Sequence, residues 1–126
     1  MPLTDHHRDF DIDVRTLGAA VVVMVSGEID MVAGPHLQQS LEQAHDQAPE
    51  RVVIDLSRVE FFDSTGVNTL LLVSRRTPTA LRLVPSFAVT RPLDALGLKT
   101  EFELFDTVDA AVAAVDRSGG AGRGRR

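Results

Sequence analysis

The sequence predicts an α/β domain with a small mixed sheet, mainly parallel, of four to five strands and about four helices. The first observation is the order of patterns along the chain, where strand-like and helix-like segments alternate as β-β-α-β-α-β-α-(β)-α. The second is that only a turn separates the first two strand-like segments. We therefore expect them to pair antiparallel, with the first strand at the sheet edge. The third is the length of 126 residues, which suits one domain with its own core.

The first two strand-like segments predict a hairpin. Phe10, Ile12 and Val14 alternate with polar residues, a period of two that indicates a half-exposed strand. Gly18 then allows a tight turn into residues 19–25. Because these residues are apolar throughout, they indicate a strand buried on both faces.

A helix and a third strand follow the hairpin. Pro35 suits the first helical position, where its missing N–H costs nothing. Pro49 ends the helix, and the apolar segment at residues 51–56 is the next strand. A crossover of this kind favours a parallel pair of strands. One face of the helix carries apolar residues at helical spacing: Leu37, Leu41, Ala44 and Ala48.

The second half of the chain continues this alternation. A buried helix is predicted over residues 64–76, a strand over 81–84 and a helical segment over 86–97. A short last strand over 102–105 then precedes a final helix capped by Asp106 or Thr107. The apolar face of that helix is formed by Val108, Ala111, Val112 and Val115.

Pro92 conflicts with a regular helix over the whole of residues 86–97. An interior proline removes a hydrogen bond and clashes with the preceding turn, at a cost of about 3 kcal/mol. We therefore expect the regular helix to begin near Thr90, which would place Pro92 in its first turn.

Charge is unevenly distributed along the chain. The net charge is −5, but four of the 13 basic residues lie in the last ten positions. Residues 1–116 therefore carry nine basic and 18 acidic side chains, a net charge of −9. Such an acidic body repels nucleic acid and membrane phosphates, so we expect neither as a direct partner. The predicted organisation is a flexible N-terminus over 1–9, one domain over 10–116 and a disordered Gly/Arg-rich tail over 117–126.

Several kinds of site are disfavoured by composition and spacing. The absence of cysteine excludes disulfides and thiolate metal sites. The four histidines lack the spacing of a metal site and no glycine-rich phosphate loop occurs, so no metal and no cofactor are expected. No apolar segment approaches the ~20 residues of a membrane span, and the polar N-terminus lacks a signal-peptide core. We therefore expect a cytoplasmic protein.

Ser64 is the most informative candidate residue. It lies where an apolar strand gives way to a helix, among N–H groups that lack helical partners and stabilise an anion. One interpretation is that Asp63 or Ser64 caps the helix, which is worth ~1 kcal/mol. The other is that Ser64 accepts a phosphoryl group, which adds about −1.5 to −2 charges. A serine nucleophile would need an adjacent base, and only His36 comes into consideration.

Four segments, in this order, match a known family. They are Gly-Glu-Ile-Asp at residues 27–30, Val-Ile-Asp-Leu-Ser at 53–57, Phe-Asp-Ser-Thr-Gly at 62–66, and Leu-Gly-Leu at 96–98 with Phe-Glu-Leu-Phe at 102–105. With them the chain resembles the STAS domain, and most of all the bacterial anti-sigma-factor antagonists. The resemblance spans about residues 10–116. The segment between Arg76 and Leu81 is short for the family and predicts a tight loop.

The resemblance implies a regulatory cycle in which this chain is a substrate and not an enzyme. In such antagonists the serine matching Ser64 is phosphorylated by an anti-sigma factor with serine-kinase activity, and a PP2C-type phosphatase removes the phosphate. The unphosphorylated antagonist binds the anti-sigma factor and frees a sigma factor. Asp30, Asp63, Thr65 and Gly66 match positions around the partner-binding surface. The two carboxylates are expected to orient the serine, and Gly66 to let the partner's backbone come close.

Two other interpretations stay open at this point. A non-switching STAS scaffold, or a transport-system subunit of the same family, would dock without control by phosphate. A small hydrolase would need a base within ~3 Å of the Ser64 hydroxyl. The oligomeric state is not determined by the sequence.

Overall fold

The computed structural model describes residues 3–6, 9–77 and 80–115, which form one mixed sheet packed against helices. The strands are β1 (Leu3–His6), β2 (Phe10–Leu17), β3 (Ala20–Ile29), β4 (Arg51–Phe62), β5 (Arg82–Pro85) and β6 (Glu103–Leu104). The helices are α1 (Ala33–Asp46), α2 (Ser64–Ser74), α3 (Phe87–Ala95) and α4 (Val108–Ala113), with a turn of 3-10 helix at Lys99–Glu101.

The strands lie in the sheet in the same order as in the chain, from β1 to β6. The pairs β1–β2 and β2–β3 are antiparallel, whereas β3–β4, β4–β5 and β5–β6 are parallel. This confirms the predicted α/β class, with a mixed and mainly parallel sheet and four helices. The first strand is antiparallel and at the edge, as expected, but it is β1, and the strand that begins at Phe10 lies one position inside.

Strand β1 was missed by the sequence analysis. Its backbone pairs with β2 from Leu3 opposite Val14 to His6 opposite Asp11. The prediction of a flexible segment over 1–9 is therefore wrong for these four residues, and the sheet has six strands instead of four or five. One apolar residue in four gives no readable period, so the pairing could not be foreseen. The predicted tail over 117–126 lies outside the described residues, as do two residues of the predicted tight loop, Pro78 and Thr79.

Strand β3 is buried on both faces, as its composition predicts. Val21, Val23 and Val25 belong to the main core, which also contains the buried faces of α1, α2 and α3. Val22 points to the opposite face, because successive side chains of a strand alternate, and packs in a smaller cluster with Ala111 of α4. Helix α4 therefore covers the face of the sheet that the other three helices leave open.

Helix α1 begins two residues before the predicted start at Pro35. The earlier start is stabilised by the Asp30 side chain, which accepts hydrogen bonds from the N–H groups of Val32 and Ala33, at 3.0 and 3.2 Å. The predicted apolar face is buried as far as Ala44, but Ala48 lies beyond the helix end and is exposed.

The prediction that α3 begins near Thr90 is wrong, since the helix starts at Phe87 and contains Pro92 in its interior. Tertiary bonds set this start: the Ser86 N–H donates to the Leu56 carbonyl at 3.2 Å and the Ser86 hydroxyl donates to the Val59 carbonyl at 2.7 Å. Val89 and Leu93 of α3 are also fully buried. Burying two such side chains contributes about 3–6 kcal/mol, which offsets the ~3 kcal/mol cost of the proline.

Candidate functional site

The candidate site lies at the carboxyl ends of the two central parallel strands. Ile29 at the end of β3 is the register partner of Phe62 at the end of β4. Asp30 and Asp63 are the next residues on each strand, and the Asp63 N–H still donates to the Ile29 carbonyl, at 3.4 Å. The sheet therefore brings together the two segments that the sequence analysis singled out, Asp30 and residues 63–66.

Asp63 is the cap of helix α2. Its backbone is extended, with φ of −102° and ψ of −168°, and its Oδ1 accepts a hydrogen bond from the Thr65 N–H at 2.9 Å. The Asp63 carbonyl then accepts from the Val67 N–H at 3.2 Å. Of the two candidate caps, Asp63 rather than Ser64 performs this role, which is worth ~1 kcal/mol.

Asp30 holds the start of the neighbouring helix in a similar way, from two residues before the cap position at Val32. Its Oδ1 accepts from two backbone N–H groups at the start of α1, and its carbonyl accepts from the Gly34 N–H at 2.9 Å. Two carboxylates on adjacent strands thus each hold the start of a helix. Within the described residues, neither of them makes a hydrogen bond with the Ser64 side chain.

Ser64 is the first residue of α2, and its side chain is exposed. Among the residues that the structure describes, none accepts a hydrogen bond from the Ser64 hydroxyl. The base that a hydrolase would need is therefore not in contact with this hydroxyl. Because Asp63 already satisfies the free N–H of Thr65, the Ser64 hydroxyl is not needed for capping. The hydroxyl is therefore accessible to a reagent from outside.

Thr65 and Gly66 pack against other residues beneath the site. The Thr65 methyl group lies against Gly34 of α1, where an added Cβ would be 2.6 Å from it. Gly66 is buried, and an added Cβ there would be 2.6 Å from the ring of Phe62. Contacts within the chain thus favour glycine at position 66, whether or not a partner's backbone comes close there.

Four exposed apolar side chains surround the site, and the sequence analysis missed them. Met31 and Val32 follow β3, Phe61 lies near the end of β4, and Phe87 follows β5; they are 76%, 66%, 49% and 76% exposed. We call these four residues the apolar rim. The carboxyl ends of parallel strands lie at one edge, so the rim lies on both sides of Ser64. In the sequence, each of these residues is simply an apolar residue next to a turn. Buried core residues occur at such positions too, so the pattern does not distinguish an exposed residue from a buried one.

The described part of the chain shows neither a cluster of metal ligands nor a long apolar helix. No group of three or more histidine or acidic side chains is placed to hold a metal ion there. Within the same residues, no helix combines the length and the apolar character required to cross a membrane.

The fold and the motif order together match a protein family. The family model of the STAS domain matches residues 11–111, which include both carboxylates and Ser64. This chain belongs to the STAS domain family.

Several relatives of this STAS domain are named as anti-sigma factor antagonists. It is 31% identical over 107 residues to a Mycobacterium tuberculosis protein named anti-sigma-F factor antagonist RsfB, covering 82% of this chain and 88% of the relative. The crystal structure of an anti-sigma factor antagonist from Mycobacterium paratuberculosis superposes with a TM-score of 0.78 at 36% identity, covering 86% and 95% of the two chains. The unphosphorylated form of the antagonist SpoIIAA, at 24% identity, covers 80% and 92% with a TM-score of 0.65 and supports the fold alone.

Proposed function

We propose that this STAS domain is an anti-sigma-factor antagonist that is switched by phosphorylation at Ser64. In its unphosphorylated form it binds an anti-sigma factor and releases a sigma factor. The anti-sigma factor acts as the serine kinase, a PP2C-type phosphatase reverses the modification, and the cycle takes place in the cytoplasm. The observation that carries the proposal is the separation of roles at the start of α2, where Asp63 caps the helix and leaves the Ser64 hydroxyl exposed.

The position of Ser64 suits a phosphate that changes binding without unfolding the domain. A helix N-terminus stabilises a negative charge by about 0.3–1 kcal/mol, so the first turn of α2 tolerates the group. The neighbouring carboxylates of Asp30 and Asp63 concentrate negative charge on the same face. An added phosphate of about −1.5 to −2 charges therefore makes that face strongly acidic, and a partner that fits the neutral serine is repelled.

The apolar rim supports a protein partner rather than a small ligand. Large side chains that remain exposed on both sides of one residue are typical of a protein-binding surface. In this proposal Asp30, Asp63, Thr65 and Gly66 belong to the partner-binding surface, with the two aspartates shaping it through the helix starts that they hold. Thr65 is half-buried and contributes the part of its side chain that does not pack on Gly34, and Gly66 contributes through its packing on Phe62.

The experiment uses purified serine-kinase anti-sigma factors from the source organism. Each is incubated with ATP and the wild-type chain, and intact mass is measured. We expect one phosphate in the wild type and in the control variants Thr65→Ala and Ser57→Ala, and none in Ser64→Ala. A phosphate that persists in Ser64→Ala, or no phosphate with any of these kinases, refutes the switch.

A binding measurement with the same proteins separates the switch from a scaffold. We expect Ser64→Ala to bind the anti-sigma factor at least as well as the wild type does, and Ser64→Asp to bind far more weakly. Equal binding of Ser64→Asp and wild type would instead support the non-switching STAS scaffold or transport-system subunit.

A further inference from the structure

Met31 carries the most accessible sulfur atom in the described part of the chain. Its side chain is 76% exposed, whereas Met24 is half-buried on the sheet, where it packs beside the cluster under α4. Met1 lies outside the described residues, and the chain has no cysteine. Thiols and thioethers are the side chains that peroxides oxidise readily. Among the described residues, a peroxide that reaches this surface therefore meets Met31 first.

The backbone at Met31 is fixed by hydrogen bonds that do not involve its side chain. Asp30 Oδ1 accepts from the N–H groups of Val32 and Ala33. The Asp30 carbonyl accepts from the Gly34 N–H at 2.9 Å. The turn between β3 and α1 is thus held on both sides of Met31, while the thioether extends into solvent. A chemical change at the sulfur therefore alters the surface and leaves the fold in place.

Met31 lies within the width of one protein interface from Ser64. Ile29 and Phe62 are register partners on neighbouring strands, about 4.8 Å apart, and Met31 and Ser64 each follow two residues later. Because two residues span at most about 7 Å, the Cα atoms of Met31 and Ser64 are at most about 19 Å apart. A standard interface of about 800 Å² per partner is, as a disc, roughly 32 Å across. A protein that covers Ser64 in the proposed function therefore has Met31 within its reach.

We propose that oxidation of Met31 to methionine sulfoxide by a peroxide is a second control of this partner-binding surface. The inference rests on the proposed function and adds a regulation of the same site. The sulfur lone pair attacks one oxygen of hydrogen peroxide, the O–O bond breaks and an S–O bond forms. The sulfur loses two electrons, and the other oxygen leaves as water after taking up the proton of the transferred oxygen. A methionine sulfoxide reductase with a dithiol reverses the step and yields the thioether, a disulfide and water.

The sulfoxide changes what a partner must bury at the apolar rim. A thioether is apolar and flexible, and it adapts to an apolar partner surface. The S–O group is polar, and burying it without a hydrogen-bond donor is unfavourable. Phosphate at Ser64 thus adds charge in response to a kinase, whereas the sulfoxide at Met31 adds polarity in response to a peroxide. Both modifications weaken the same contact, and neither requires the other.

The first test measures which methionine reacts. The wild-type chain is treated with a limited amount of hydrogen peroxide, and catalase then removes the excess. A glutamate-specific protease cleaves after Glu28, which lies between Met24 and Met31, so mass spectrometry assigns a gain of one oxygen to either residue. We expect Met31 to react at least fivefold faster than Met24, with an unchanged far-UV circular dichroism spectrum. Equal rates, or a changed spectrum, would overturn the inference.

The second test measures binding to the recombinant anti-sigma factor that binds the wild-type chain in the experiment above. Only the antagonist is oxidised, before the two proteins are mixed. We expect oxidation to weaken binding at least fivefold in the wild type and in the control Met24→Leu, and the reductase with dithiothreitol to restore it. Met31→Leu is compared with its own untreated form, and the two affinities should agree within twofold. An equal loss in oxidised Met31→Leu, or no loss in the wild type, would contradict the proposal.

Protection by the partner provides a third readout. In the complex, Met31 should be oxidised at least threefold more slowly than in the free chain, while the rate at Met24 stays the same. Equal rates at Met31 in the free and bound chain would show that the partner does not cover it, and the proposal would fail. Failure of the proposed function looks different, because unmodified wild type would then bind no anti-sigma factor or would be indifferent to Ser64→Asp.

Discussion

Two ion pairs in this domain have similar lengths but should differ several-fold in their contribution to stability. Arg82 of β5 is nearly buried, with its Nε 3.2 Å from Glu103 Oε1 and its Nη1 donating to the Ala111 carbonyl of α4 at 2.6 Å. The guanidinium also lies 5.7 Å from the centre of the Phe105 ring. Arg82 thus connects β5, β6 and α4 from within the structure.

The second pair joins α1 to the residues just after α2 at the surface. Arg76 Nη1 lies 2.8 Å from Glu42 Oε2, and the two side chains are 59% and 43% exposed, against 5% and 21% for Arg82 and Glu103. If distance alone decided, the surface pair would contribute more to stability than the buried pair. Burial reverses the order, because water screens the exposed charges and can replace either partner.

The perturbation is removal of one partner at a time. Glu103→Leu leaves the Arg82 charge buried and unpaired, which should cost about 3–5 kcal/mol. Arg82→Met leaves Glu103 partly hydrated but removes the donor to the buried Ala111 carbonyl, at a cost of about 1–3 kcal/mol. Arg76→Leu should cost at most about 1 kcal/mol. The double variant Arg82→Met/Glu103→Leu should cost less than Glu103→Leu alone, since no buried charge remains.

Urea unfolding followed by far-UV circular dichroism measures these costs, since the chain has no tryptophan or tyrosine for fluorescence. With an m-value of about 1.5–2 kcal/mol/M, the loss of about 3–5 kcal/mol in Glu103→Leu lowers the midpoint by roughly 1.5–3 M. The argument is refuted if Arg76→Leu costs as much as Glu103→Leu. It is equally refuted if the double variant is as unstable as the sum of the singles.

Three further predictions concern the start of α2. Asp63→Ala should lower the free energy of unfolding by about 1 kcal/mol while Asp63→Asn stays within a few tenths, because asparagine caps as well as aspartate; equal losses in urea melts would contradict the capping role. Gly66→Ala should cost about 1–3 kcal/mol by overpacking against the Phe62 ring, and Phe62→Leu in that background should recover part of the loss; a neutral Gly66→Ala would show that the ring can move freely. Ser64→Asp should change thermal stability by less than about 1 kcal/mol, as a charge at the first helical position is favourable; partial unfolding in this variant would mean that the switch acts through the fold.

Sequence pattern predicted the elements whose signal is local. The apolar segment of β3 and the crossover through α1 were sufficient for the parallel pair β3–β4, because burial on both faces and chain connectivity leave few alternatives. The pattern also limited the α2 cap to two adjacent residues. It could not choose between them, since that choice depends on the backbone angles of Asp63.

The errors arose where the structure depends on contacts distant in sequence. Helix α3 begins at Phe87 because Ser86 bonds to carbonyls of β4, about 30 residues earlier, and no local rule contains those bonds. The expectation for Gly66 failed to include the Phe62 ring for the same reason. The apolar rim could not be predicted, because the sequence pattern around an exposed phenylalanine is the same as that around a buried one.

The structure also relates the two original interpretations of Ser64 to each other. A serine that caps a helix has its oxygen engaged by backbone N–H groups, and a kinase would have to compete with them. Here Asp63 supplies the capping oxygen from the preceding position, so the serine hydroxyl is left outside. The same helix start still provides its positive end to an anion at Ser64. In the proposed function, capping by Asp63 therefore keeps the helix intact when Ser64 carries a phosphate, so the modification would change the charge of the surface while the fold beneath it is maintained.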